Sequence, residues 1–172
     1  DTKWKHAVEP LFVYRYVRGV NAFGRFLRFD EIDTLTDTNE IEYGVTQRFF
    51  RRKPGGGADE VVSWRVAQKH YFDPTFNGAI VPGRRNVFQA LNSITPYAFA
   101  DSPRRFSPVV SDLRVTPGGR YDAQLRMDID PVRRRITAVG TLIRMRPYKE
   151  SFVTLAHFAT DAVPALQPRS NQ

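Results

Sequence analysis

The chain has 172 residues, of which 41% are hydrophobic and 26% charged, with a formal net charge of +8. With a mean hydropathy of −0.43 and no apolar run near the ~18 residues a helical span needs, a membrane helix is excluded. A membrane β-barrel is not excluded, because alternation halves the apolar content of each strand. The absence of cysteine rules out Cys-ligated metal sites and internal disulfides.

The first residues, DTKWKHAVEP, already read as strand rather than as a leader, so the expectation is an internal piece or a mature product. From Ala7 to Val17, one parity carries Val8, Pro10, Phe12, Tyr14 and Tyr16, and the other carries Glu9 and Arg15 with Ala7, Leu11 and Val13. From Glu40 to Phe50, Ile41, Tyr43, Val45 and Phe49 oppose Glu40, Glu42, Thr46 and Arg48. Val62, Trp64 and Val66 oppose Ser63, Arg65 and Lys69 between Val61 and Phe72, and Val109 to Val115 forms a shorter strand. The clearest case is Tyr121 to Asp130. There Tyr121, Ala123, Leu125, Met127 and Ile129 face Asp122, Gln124, Arg126, Asp128 and Asp130 across the strand. Ile136 to Met145 and Ser151 to Ala159 complete the set, with both faces mixed and the register open.

Between these strands lie two kinds of connection. Pro54-Gly55-Gly56-Gly57, Pro117-Gly118-Gly119 and Asp130-Pro131 are turn sequences, in which Pro fixes φ and Gly supplies positive φ. The stretches 18–39 and 73–108 are long, and the prolines of the second argue against a helix. The fold expected is all-β: an antiparallel meander of about seven to eight strands, part of a large outer-membrane β-barrel, with residues 1–172 as one unit. If successive connections alternate sides, the turns at 53–60, 117–119 and 147–148 share one rim. The long loops share the other, together with the tight turn at 130–133.

No catalytic, cofactor or metal constellation is present in the pattern. His6, His70 and His157 lack ligand spacing, and Pro54 to Gly57 is followed by no Lys-Ser/Thr, so it is not a phosphate loop. The serines sit in no nucleophile elbow. Asp30, Glu31, Asp33 and Asp37 form an acidic loop cluster without EF-hand spacing, and a solvated loop is expected there. The protein is therefore expected not to be an enzyme and to use no cofactor. The cationic excess is carried by Arg51-Arg52, Arg84-Arg85, Arg104-Arg105 and Arg133 to Arg135 and suits an anionic partner. Three classes remain open: a membrane-barrel wall, a soluble lipocalin-like barrel holding an amphiphile, and a basic module for nucleic acid or another polyanion. Long strands, aromatics near strand ends and the alternation of short turns with long loops favour the first. The face each strand turns to solvent discriminates them.

Asp37-Thr38-Asn39-Glu40-Ile41-Glu42-Tyr43-Gly44-Val45-Thr46-Gln47-Arg48 resembles a strand motif of the LPS-assembly outer-membrane proteins, the LptD (OstA, organic solvent tolerance protein) family. Glu9-Pro10, Ser63-Trp64, Tyr71-Phe72-Asp73-Pro74, Ser107-Pro108, Asp128-Ile129-Asp130-Pro131 and Ser170-Asn171-Gln172 extend the resemblance in order. The resemblance implies a middle section of a C-terminal barrel that moves lipopolysaccharide to the outer leaflet. It also implies a barrel joined to a periplasmic jellyroll, plugged by an LptE-type lipoprotein and served by periplasmic transport components, with no nucleic acid. On this reading Glu9, Arg15, Glu42, Arg48, Asp122, Gln124, Arg126 and Asp128 face the lumen. Glu9 with Arg15 and Glu42 with Arg48 are candidate ion pairs along their strands. Arg84, Arg85, Arg104 and Arg105 are candidate contacts for lipopolysaccharide phosphates.

Overall fold

A computed structural model of the protein describes residues 3–19, 37–73, 104–148, 150–161 and 170–171. The alternating segments become β1 (Trp4–Val17), β2 (Thr38–Arg52), β3 (Ala58–Tyr71), β4 (Val109–Val115), β5 (Tyr121–Asp130), β6 (Arg135–Tyr148), β7 (Ser151–Thr160) and the short β8 (Ser170–Asn171). They form one eight-stranded sheet in chain order, each strand antiparallel to the next. The all-β meander expected from periodicity is therefore present, and its strands overrun the apolar runs by a few residues at several ends. Contacts between elements run only between sequence neighbours, so the sheet is open and no second layer covers either face among the described residues.

Three register shifts punctuate the ladder. Between β2 and β3 the pairing passes from Phe49↔Val62 to Phe50↔Glu60, leaving Val61 as the extra residue of a bulge. A bulge inverts the parity beyond it, so Glu60 joins the face that carries Ser63 and Arg65. Between β5 and β6, Asp128↔Ala138 is followed by Ile129↔Ile136, and Thr137 Oγ1 donates to the Asp128 carbonyl at 3.0 Å. The third shift lies between Met145 and Tyr148, where β6 meets β7.

β4 is short as a regular strand, but the chain before it stays on the sheet. The Ser107 amide donates to the Lys69 carbonyl at 3.0 Å, and the Tyr71 amide donates to the Arg105 carbonyl at 2.7 Å. Pro108 has no N–H, and here the pairing slips by one residue. The fully buried Ser107 hydroxyl fills the gap, accepting from the Lys69 amide at 2.8 Å and donating to the Pro108 carbonyl at 2.7 Å.

The topology separates the connections as the alternation of sides predicts. Residues 53–57, 116–120 and 149–150 join strands at one rim, and 18–37, 72–108, 131–134 and 161–169 join them at the other. At the second rim the single tight turn is built on Asp130, whose Oδ1 accepts from the amides of Val132 (2.8 Å) and Arg133 (3.0 Å). Arg134 completes it in the left-handed region, at φ 52°.

Candidate functional site: a shielded charged face

The registers bring the charged parities of six strands onto one face. Arg15 opposes Glu40, Thr46 opposes Arg65, and Arg65 opposes Asp112. Asp112 opposes Arg126, and Asp122 opposes Arg144. All eight residues expected to share a face, Glu9, Arg15, Glu42, Arg48, Asp122, Gln124, Arg126 and Asp128, lie on it. The opposite face carries Phe12, Tyr43, Trp64, Leu113, Leu125 and Ile143.

Most ion pairs on this face run between strands, and those of Glu9, Arg15, Glu42 and Arg48 all do, which corrects the along-strand pairing expected for Glu9 with Arg15 and for Glu42 with Arg48. Arg48 bonds Glu9 on β1 at 3.1 Å and Glu60 on β3 at 2.7 Å. Arg15 bonds Glu40 at 2.7 Å, Lys69 bonds the same Glu40 oxygen at 2.9 Å, and Arg65 bonds Glu42 at 2.7 Å. Residues six apart on one strand are separated by ~20 Å, whereas facing strands are ~4.8 Å apart. A side chain therefore reaches across a ladder, or to the next residue of its own parity, but not six residues along its strand. Further along the sheet, Gln124 donates to both Asp112 oxygens (3.0 and 3.1 Å), Arg114 pairs with Asp122, and Arg126 pairs with Asp128 at 3.2 Å.

Burial is inverted relative to a water-soluble sheet. Glu40 is 5% exposed and Asp128 8%, whereas Phe12 is 70% exposed and Leu155 58%. The buried polar residues outnumber the buried hydrophobic ones, which among the described residues are Val61, Ala67 and Tyr71. Among the described residues no second layer covers this face, so its charged side chains shield one another. Gly44 on β2 lies where β3 approaches closely: a Cβ there would stand 2.5 Å from the Val66 carbonyl oxygen and 2.9 Å from the Ala67 Cβ. Gly140 lies on the same face under the ring of Phe158, 3.4 Å from where a Cβ would stand.

The remaining candidates fall at the long-connection rim. Arg104 Nη1 bonds both oxygens of Asp130 (2.7 and 2.8 Å), with only 12% of the Arg104 side chain and 4% of the Asp130 side chain exposed. This fastens the segment before β4 to the β5–β6 turn. Arg105 is exposed beside it, and Arg84 and Arg85 lie outside the described residues. Of the acidic loop cluster, Asp30, Glu31 and Asp33 also lie outside them, and no group of His, Asp and Glu with metal-site spacing occurs among the described residues. His6 stacks on Phe49 at 4.3 Å and His70 packs against Phe72 and Phe106, so both act as strand-face rings.

Sequence parity reached Glu40, Arg65 and Lys69 as members of the charged faces. It missed Glu60, whose face depends on the bulge, and the Arg104–Asp130 pair, which joins residues 26 apart in sequence with no periodic signal.

An exposed aromatic face, a shielded ionic face and one rim of short turns describe the wall of a membrane barrel. A family model, LptD (LPS transport system D), matches residues 23–172. The chain belongs to the LptD family. No curated protein matches it. LptD proteins act in lipopolysaccharide transport at the outer membrane, a role of transport and assembly rather than of catalysis, and an open all-β sheet suits one section of a larger barrel.

Proposed function

We propose that this chain is a section of the LptD barrel wall, its aromatic face on lipid and its charged face on a hydrated lumen that passes lipopolysaccharide to the outer leaflet. The observation that supports this most is the inverted burial. In a soluble barrel of the lipocalin kind, Phe12 and Leu155 would point inward and Glu40 outward. In a bilayer, apolar side chains face lipid and ionic ones face water inside the barrel. The role is passive: the inner face keeps the saccharide solvated while acyl chains remain in lipid, without bond cleavage or nucleotide hydrolysis. Residues 1–172 act as one unit in this reading, working with an LptE-type plug and the periplasmic transport components. At the long-connection rim, Arg84, Arg85 and Arg105 contact lipopolysaccharide phosphates, and Arg104, held by Asp130, anchors the loop that carries them.

Single cysteines at Leu125 and Arg126 in the full-length protein test the orientation. A membrane-impermeant thiol reagent is expected to label position 126 and leave 125 unlabelled in intact outer-membrane vesicles. Equal labelling at the two positions would defeat the membrane reading.

A further inference from the structure

We propose that Arg120, Arg144, Arg146 and Phe152 form a binding site for an anionic sugar, phosphorylated or carboxylated, at the short-turn end of the charged face. The proposal rests on that face being the hydrated one. Along most of the face, arginines are neutralised: Arg15, Arg48, Arg65, Arg114 and Arg126 each hold a carboxylate. At the short-turn end of β5 and β6 the pattern stops. Arg144 opposes Asp122 across the ladder, but Asp122 is taken by Arg114 on its other side. Arg146 opposes Arg120, its amide donating to the Arg120 carbonyl at 2.9 Å. Glu150 makes no ion pair with any of the three.

Three exposed guanidinium groups therefore share one end of one face, and among the described residues no carboxylate forms an ion pair with them. Like charges on facing strands repel, and charge within membrane depth is retained where water or a partner meets it. The register shift between Met145 and Tyr148 sets Arg146 and Pro147 opposite Phe152. The Arg144 guanidinium carbon lies 5.8 Å from the Phe152 centroid, a cation–π contact that leaves its N–H edges free. Phe152 is 67% exposed on the same face as Arg144 and Thr154. An aromatic ring open to water beside free guanidinium forks matches a sugar: C–H bonds pack on the ring, and the anionic substituent takes bidentate N–H donors.

The test uses full-length protein in cells, with a photocrosslinking amino acid at Thr154, which opposes Arg144 on β7. Irradiation is expected to yield a lipopolysaccharide adduct. Combining Arg120→Gln, Arg144→Gln and Arg146→Gln should lower its yield roughly tenfold, the loss expected for about one net charge-assisted contact. Removing three other charges, at Lys3, Arg51 and Arg134, should leave it unchanged. With purified protein, lipopolysaccharide should give the adduct and its enzymatically dephosphorylated, carboxyl-reduced form should not. An adduct that survives the triple substitution overturns the site, as does one formed with phosphatidylglycerol in preference to lipopolysaccharide. Cysteine at 154 separates the levels. If the impermeant thiol reagent labels 155 and not 154, the face assignment falls and the site with it; if 154 labels normally and no adduct forms, only the site falls.

Discussion

Asp130 ties the long-connection rim together: its carboxylate accepts from two turn amides and from the Arg104 guanidinium, which bonds both of its oxygens. Asp130→Asn keeps an oxygen for the turn amides but strands the nearly buried Arg104 charge. Breaking such a pair from one side costs up to about 3 kcal/mol, because the partner stays desolvated and unpaired. Arg104→Met with Asp130→Asn removes both charges, so the double variant should be less destabilised than the single Asp130→Asn. The measurement is the temperature at which the folded barrel band disappears from unboiled gel samples of the full-length protein. Additive losses in the double variant would show that the two side chains act independently.

At the scale of the strand, face decides the cost of a charge. On β5, Leu125 and Gln124 are adjacent and point to opposite sides of the sheet. Leu125→Arg should cost about 2–4 kcal/mol if that position meets lipid at mid-depth, whereas Gln124→Arg, beside Asp112, should cost little. The same assay of the folded band distinguishes them, and equal losses would mean that the sheet lacks a lipid side there. These faces were legible in the sequence because β2, β3 and β5 alternate and β1 keeps Glu9 and Arg15 on one parity, and a period of two needs no tertiary information. Two things were not legible. Bulges invert parity without altering composition, so Glu60 could not be assigned to a face from its spacing. On β6 and β7 both parities are mixed: Gly140, Leu142, Ala156 and Phe158 line the charged face, and Thr141 and His157 lie opposite. Ion-pair partners were illegible for a related reason, since the cross-strand register that selects them is a property of the pairing and not of either strand.

At the scale of the molecule, the sheet is a wall with two sides, two rims and open edges. The free edge of β1 and most of that of β7 carry unpaired backbone groups, and a bilayer requires further strands to satisfy them. The rims give an expectation for which way the wall stands. Connections of about five residues or fewer at one rim and much longer ones at the other follow the outer-membrane arrangement, in which short turns are periplasmic and long loops external. The tight turn at 131–134 sits on the long-loop rim and does not alter the assignment, because external connections vary in length. An epitope inserted at Gly83 should therefore bind antibody on intact cells. One inserted between Gly55 and Gly56 should bind only after the outer membrane is opened. The second site tolerates insertion on structural grounds: Gly55, Gly56 and Gly57 all have positive φ, and a Cβ at any of them would meet nothing within 4 Å. Reversed accessibility would turn the wall over. It would place the unpaired arginines of β6 at the cell exterior and Arg105 at the periplasmic mouth, exchanging the positions at which each set could first meet an anionic saccharide.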